Sequence, residues 1–219
     1  MSQEIIKLML QGIEETFYMV AVATVIGGII GIPLGITLVT TSKGHILENR
    51  FINQILGTIV NIIRSIPFII LMVAIIPLTR LIAGTSIGTT AACVPLTIVA
   101  IPFLSRLVET SIRDVDFGLV EAAESMGATP FQIIRKVLIP EALPTIINNI
   151  TVLVNLIGAS AMAGAIGAGG LGDIAVRNGY YRRVDEVMVV AVIVLVVIVQ
   201  VIQSVCDLAA RRVDHRTQN

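Results

Sequence analysis

Residues 121–144 read EAAESMGATPFQIIRKVLIPEALP, with carboxylates at Glu121 and Glu124 and basic groups at Arg135 and Lys136. Side chains of both signs on short helices suit charge recognition. Groups that would make or break bonds are harder to find elsewhere in the chain. Cys93 and Cys206 both lie in apolar segments, and nothing near them suggests metal ligands or a disulfide framework. Lys7, Lys43 and Lys136 neither follow a glycine nor precede Ser or Thr, so the phosphate-cradling pattern GxxxxGK[ST] is absent and the chain has no recognisable ATP site. The 15 basic and 15 acidic residues balance, which offers no basic patch for nucleic acid.

The elements that hold 121–144 read as two short helices. Thr129 is a helix cap, Pro130 suits the first helical position, and Gln132 completes a capping box. Gly127 suits the sharp turn that ends the preceding helix. Phe131, Ile134 and Leu138 recur at helical spacing, Ile133 and Val137 widen that apolar stripe, and Gln132, Arg135 and Lys136 take the other face. Pro140 is expected to end the pattern and Pro144 to start the next helix. Periodicity alone leaves two readings open: an amphipathic connector resting on a membrane, or a docking element for a cytoplasmic partner.

The setting is a membrane. Of 219 residues, 55% are hydrophobic and none is tryptophan, and mean hydropathy is +0.93. Such a chain has too little polar surface to cover a soluble globule. A span needs about 20 apolar residues, and five runs qualify: 16–40, 55–78, 87–104, 142–166 and 187–208. The third is interrupted by Pro95 and Pro102. Residues 1–15 are too polar for a secretory signal; Ile5, Met9 and Ile13 suggest a short amphipathic helix on the interface, with a frayed terminus as the alternative. Five spans put the termini on opposite sides. A cytoplasmic C-terminus gathers Lys43, Arg50, Arg106, Arg113, Arg135, Lys136, Arg211, Arg212 and Arg216 inside, and leaves Lys7, Arg80, Arg177, Arg182 and Arg183 outside, so the excess of positive charge favours an external N-terminus. Residues 121–144 then fall in the largest cytoplasmic connection. The acidic residues read as confined to loops and helix ends, whereas an ion-coupled carrier is expected to place carboxylates within its spans.

The segment resembles the cytoplasmic signature of ABC-importer permeases, which runs Glu-Ala-Ala, three residues, Gly, nine residues, Ile, any residue, Leu-Pro. Here it reads Glu121-Ala122-Ala123, Gly127, Val137 and Ile139-Pro140. Val for Ile and Ile for Leu both keep branched apolar character. Together NIIRSIPFIIL, GTSIGTTAACVPLT, MGATPFQIIRKVLIPEALP and SAMAGAIGAGGLG are similar to the permeases of methionine ABC importers. The resemblance implies an all-α polytopic protein with about five transmembrane helices, forming one permease domain over residues 1–219 with a coupling segment near 113–140. It implies that Glu121, Ala122, Ala123, Gly127, Ile139 and Pro140 couple to an ATPase. It also implies a homodimer in the bacterial inner membrane, two ABC ATPase subunits carrying ATP and magnesium, and an extracytoplasmic solute-binding lipoprotein. The substrate implied is a small amino acid, methionine in its D or L form. A permease for another small amino acid or related solute, an ion-coupled carrier, and a membrane anchor or assembly factor are the alternatives.

Other residues carry open readings. Gly27, Gly31 and Gly35 stand four apart on one helix face, a spacing that admits close helix packing within a subunit or across a dimer. Arg64, inside the second span, must pair, snorkel or face water, as a structural anchor or a substrate ligand. Asn148, Asn149 and Asn155 either bond between helices or line a pathway. The run from Gly158 through Ser160, Met162 and Gly164 to Gly172 reads as a flexible loop or as a thin-walled pathway with Met162 as an adaptable apolar plug. Tyr180 and Tyr181 fit an outer interface belt.

Overall fold

Long aliphatic runs without strict polar alternation fold as helices. In the computed structural model, which describes residues 3–149 and 154–213, no strand occurs among the described residues. The helices are α1 (Gln3–Thr40), α2 (Arg50–Ser65), α3 (Phe68–Ala74), α4 (Ile76–Ala83), α5 (Thr89–Arg113), α6 (Phe117–Ser125), α7 (Pro130–Ile133), α8 (Ile139–Asn149), α9 (Val154–Gly164), α10 (Gly170–Asp173) and α11 (Asp185–Val213). Wider π-helical turns follow α7 at Ile134–Leu138 and α10 at Ile174–Tyr181.

Among the described residues, α1, α5 and Asp185–Cys206 of α11 are long and apolar enough to cross a membrane, and α2 with α3 makes a fourth candidate if taken as one bent span. The break falls at Ser65-Ile66-Pro67, where a residue preceding proline is pushed out of the helical region. The run 142–166 is divided between α8 and α9, with 150–153 outside the described residues.

Three local expectations are corrected. The N-terminal residues are not a separate surface helix: they are the first turns of α1, whose 38 residues reach roughly 57 Å at about 1.5 Å each, beyond the hydrocarbon core of about 30 Å. Pro95 and Pro102 do not interrupt the third span, since α5 runs through both and buries them. Pro140 and Pro144 likewise lie inside α8. Proline cannot donate to the carbonyl four residues back, and its ring clashes there; the widened turn at Ile134–Leu138, immediately upstream, makes room for Pro140.

The chain divides into two units. The first comprises residues 1–27, 66–100 and 152–203. Met19, Ala23, Met72, Ala92, Cys93, Leu96 and Ala163 form one of its cores. Met9, Ile157, Leu171, Ile174, Val187 and Ile198 form another, which is what holds the beginning of α1. Within it α9 and α10 touch backbone to backbone: a Cβ on Gly172 would meet the carbonyl oxygen of Ala161, and one on Gly164 would lie 2.8 Å from the carbonyl carbon of Gly172.

The second unit comprises residues 28–65, 101–151 and 204–219. Here α1 approaches α5 across its glycine face. A Cβ at Gly31 would sit 2.8 Å from the Ile101 carbonyl oxygen, and one at Gly35 2.8 Å from Val108 Cβ, with the Ser105 carbonyl oxygen closer still. Gly27 is buried on the same face. Asn53 on α2 donates to the Leu38 carbonyl at 2.5 Å and to Thr41 Oγ1 at 3.1 Å, tying the loop between them.

Because the obstacle at Gly35 is rigid backbone, Gly35→Leu is expected to cost at least the 1–3 kcal/mol typical of overpacking, about. Ile29 is 68% exposed, so Ile29→Leu is expected to leave the detergent unfolding midpoint unchanged. Equal midpoints for the two variants would contradict the close α1–α5 approach.

Candidate functional site: a capped helix pair and a glycine-rich hairpin

The segment from Arg113 to Pro140 lies wholly in the second unit. After α5 ends, the Asp116 side chain accepts from Gly118 N at 2.8 Å and caps α6. Val120 and Ala123 turn inward and are buried, leaving Glu121, Ala122 and Glu124 exposed. The helix closes with paired reversed bonds: Ala128 N donates to Ala123 O at 3.0 Å and Gly127 N to Glu124 O at 2.9 Å. This closure needs a left-handed residue, and Gly127 has φ of 78°. Two residues on, Gln132 N donates to Thr129 Oγ1 at 3.4 Å while Thr129 N donates to Gln132 Oε1 at 2.8 Å, the reciprocal capping box. Both ends of the turn are therefore tied by their own hydrogen bonds.

The apolar stripe differs from the periodic reading. Ile133 and Leu138 are buried, Ile134 and Val137 partly so, and Phe131 points outward. Phe131 and Ile133 are about 200° apart on the helix, and the π-helical turn brings Leu138, five residues on, to the face of Ile133. The tip of the pair thus carries two large exposed apolar side chains, Met126 at 82% and Phe131 at 68%. Ile139 is half-buried and Pro140 exposed.

Near the end of α5, just before the pair, lies a group that sequence reading missed. Glu109, in the penultimate turn of α5, is buried; its Oε2 accepts from Arg106 at 2.6 Å and its Oε1 from Arg113 at 3.0 Å. Arg106 also donates to Asn61 of α2 at 2.7 Å. Glu109 lies beyond the apolar run 87–104, near a helix end, but it is buried, and the Arg-x-x-Glu-x-x-x-Arg spacing on one helix face was the available signal. Arg64 is exposed, its guanidinium 5.6 Å from the Phe103 ring centroid, a cation–π distance.

The glycine-rich run of the first unit is structured, not a flexible loop. Glu15 Oε2 accepts from Gly170 N at 2.6 Å and Thr16 Oγ1 from Leu171 N at 3.0 Å, so side chains of α1 satisfy the first amides of α10. Nothing local in the sequence links positions 155 residues apart. Asp173 is salt-bridged to Arg177 at 2.9 Å; burial, with Glu15 nearby, still raises its carboxyl above the ordinary range. On α9 the pathway candidates separate. Ser160 and Gly164 are buried, and the Ser160 hydroxyl donates to Ile157 O at 2.7 Å. Asn155 and Met162 are exposed on one face with Gly158 and Ile166. The side chains of Asn148 and Asn149 lie outside the described residues. No group of His, Cys, Asp or Glu suited to a metal occurs among the described residues.

Similarity to known proteins agrees with this architecture. Over 210 residues the chain is 60% identical to the probable D-methionine transport system permease protein MetI of Vibrio cholerae, covering 95% of this chain and 93% of that one. It is 50% identical over 165 residues to the D-methionine transport system permease protein MetI of Escherichia coli K12, covering 75% and 76% of the two chains. The fold superposes on a chain of the MetNI methionine ABC transporter, solved in inward-facing conformations, with a TM-score of 0.96 and 47% identity over 98% of this chain and 100% of that one. With residues 27–219 matching its pattern, the chain belongs to the family of binding-protein-dependent transport system inner membrane components.

Proposed function

We propose that this chain is the methionine-translocating subunit of an ATP-driven importer, and that residues 113–140 are its coupling segment. The observation that carries the coupling role is the rigidly capped helix pair that ends in exposed Met126 and Phe131. Glu121 and Glu124 stand exposed on the same pair. Carboxylates disfavour burial in an anionic membrane surface, while apolar anchors beside charges suit a protein groove. The relatives named for D-methionine transport support methionine as the cargo. The buried carboxylate Glu109 does not favour an ion-coupled carrier, because both its oxygens are held by arginines.

The chain works as a homodimer with two ATPase subunits and an extracytoplasmic solute-binding lipoprotein. ATP and magnesium belong to the ATPases, and this chain performs no bond chemistry. Its N-terminus is outside and its C-terminus cytoplasmic, following the distribution of Lys and Arg. ATPase closure moves the helix pair as a rigid lever and tilts the spans, so the pathway between the two copies opens alternately to each side. The face of α9 with Asn155 and Met162 lines that pathway, and Met162 closes it.

Gly127→Pro is expected to break the turn, since proline fixes φ near −65° and removes the donor to Glu124. Glu121→Lys reverses a docking charge. Both are expected to lower ATP-dependent methionine uptake by about twofold to thirtyfold, the range of coupling energies, with the chain still in the membrane. Unchanged uptake in both, with the ATPase still co-purifying, would remove the coupling role.

Met162→Ala is expected to let methionine cross without ATP, and Met162→Cys to cross-link between the two copies in the inward-facing state. Absence of both leak and cross-link would leave Met162 without a gating role.

A further inference from the structure

The second unit holds a cavity of about 390 Å³ that the coupling mechanism does not use. Its lining includes Lys43, His45 and Arg113, and no carboxylate is among its lining residues. The lining also includes apolar Val39, Ile112 and Val120 together with Phe117, whose ring lies edge-to-face with His45 at 6.0 Å. The location matters as much as the lining. Two helices long and apolar enough to cross a membrane, α1 and α5, end here at Thr40 and Arg113, and the charged loop 41–49 follows α1. A pocket whose lining combines basic with apolar side chains, at the level where apolar spans give way to charge, matches a molecule with a phosphate joined to hydrocarbon. Inorganic phosphate would use only half of it.

We propose that this cavity binds the headgroup of an anionic phospholipid, with Lys43, His45 and Arg113 around the phosphate and the glyceryl end against the apolar lining residues. Basic pockets at span ends take anionic headgroups by this division of labour. The charges support it. Arg113 shares the buried Glu109 with Arg106, so two arginines face one carboxylate and the half-exposed Arg113 keeps a surplus positive charge at the cavity. Glu48, outside the cavity lining, accepts from Gly44 N at 2.9 Å and pairs with Arg50 at 3.4 Å. Burial and then Arg113 hold the His45 imidazole below its usual range, and Glu124 opposes them. A bound phosphate adds an opposing charge and pulls that titration upward. Because Phe117 and Val120 belong to α6, an occupied cavity also stiffens the base of the helix pair. That consequence rests on the coupling reading, whereas the binding itself does not.

The test uses the full chain in detergent, titrated separately with short-chain phosphatidylglycerol, short-chain phosphatidylcholine and inorganic phosphate. Bound lipid is counted by native mass spectrometry and imidazole titration is followed by NMR; the chain has only 2 histidines, and His45→Gln assigns the signal. Phosphatidylglycerol is expected to bind and to raise the His45 pKa, and phosphatidylcholine to do neither. Lys43 is exposed, so Lys43→Glu keeps the fold and is expected to weaken binding about tenfold, while Lys43→Arg retains it. Equal binding of the two lipids, or an unchanged affinity in Lys43→Glu, would overturn the site. A shift of His45 by inorganic phosphate equal to that by phosphatidylglycerol would overturn the lipid assignment.

Discussion

A backbone N–H or C=O left unpaired in hydrocarbon costs several kcal/mol, about as much as a small domain can spare. A chain this apolar must satisfy those groups from within, and its departures from plain helix answer that demand. The first amides of α10 would be orphans; Glu15 and Thr16 reach across from α1 to accept from them. Pro140 has no N–H to return to the turn before it, and the helix widens there. Outside the hydrocarbon, in the segment read as cytoplasmic, the pairing is local: the end of α6 folds back on its own carbonyls through Gly127, and α7 begins with a closed capping box.

The same economy sets the packing. Hydrophobic burial does little to hold one helix to another when lipid is as apolar as leucine, so helices must meet closely enough for dispersion and weak polar contacts to matter. Gly31 and Gly35 let α1 reach the backbone of α5, and Gly164 and Gly172 let α9 reach α10. Rigid hairpins and a firmly capped helix pair follow. The coupling role proposed for 113–140 needs a stiff lever, and the segment is tied at both helix ends, at the turn between them and, through Arg113 and Glu109, at its root. Its tip keeps Met126 and Phe131 exposed, which is what the proposed docking requires.

What the sequence made legible was local. Thr129, Gln132 and Gly127 announce a turn because the bonds they make span five residues or fewer. Glycines four apart announce a packing face without naming its partner. What stayed hidden was long-range or depended on a change of helical period. The link from Glu15 to Gly170 crosses 155 positions. The outward turn of Phe131 and the pairing of Ile133 with Leu138 follow from the π-helical turn, which a period of 3.6 does not anticipate. The burial of Glu109 stayed hidden because its place near a helix end suggests exposure, while only the fold reports that two arginines enclose it.

Transport by the assembled complex tests the central claim most directly. The complex is purified through a tag on this chain, reconstituted into liposomes, and supplied with its solute-binding protein and labelled methionine. The account predicts accumulation only when hydrolysable ATP reaches the ATPase face, with no response to an imposed proton or sodium gradient. Accumulation that follows the ion gradient and ignores ATP would contradict it.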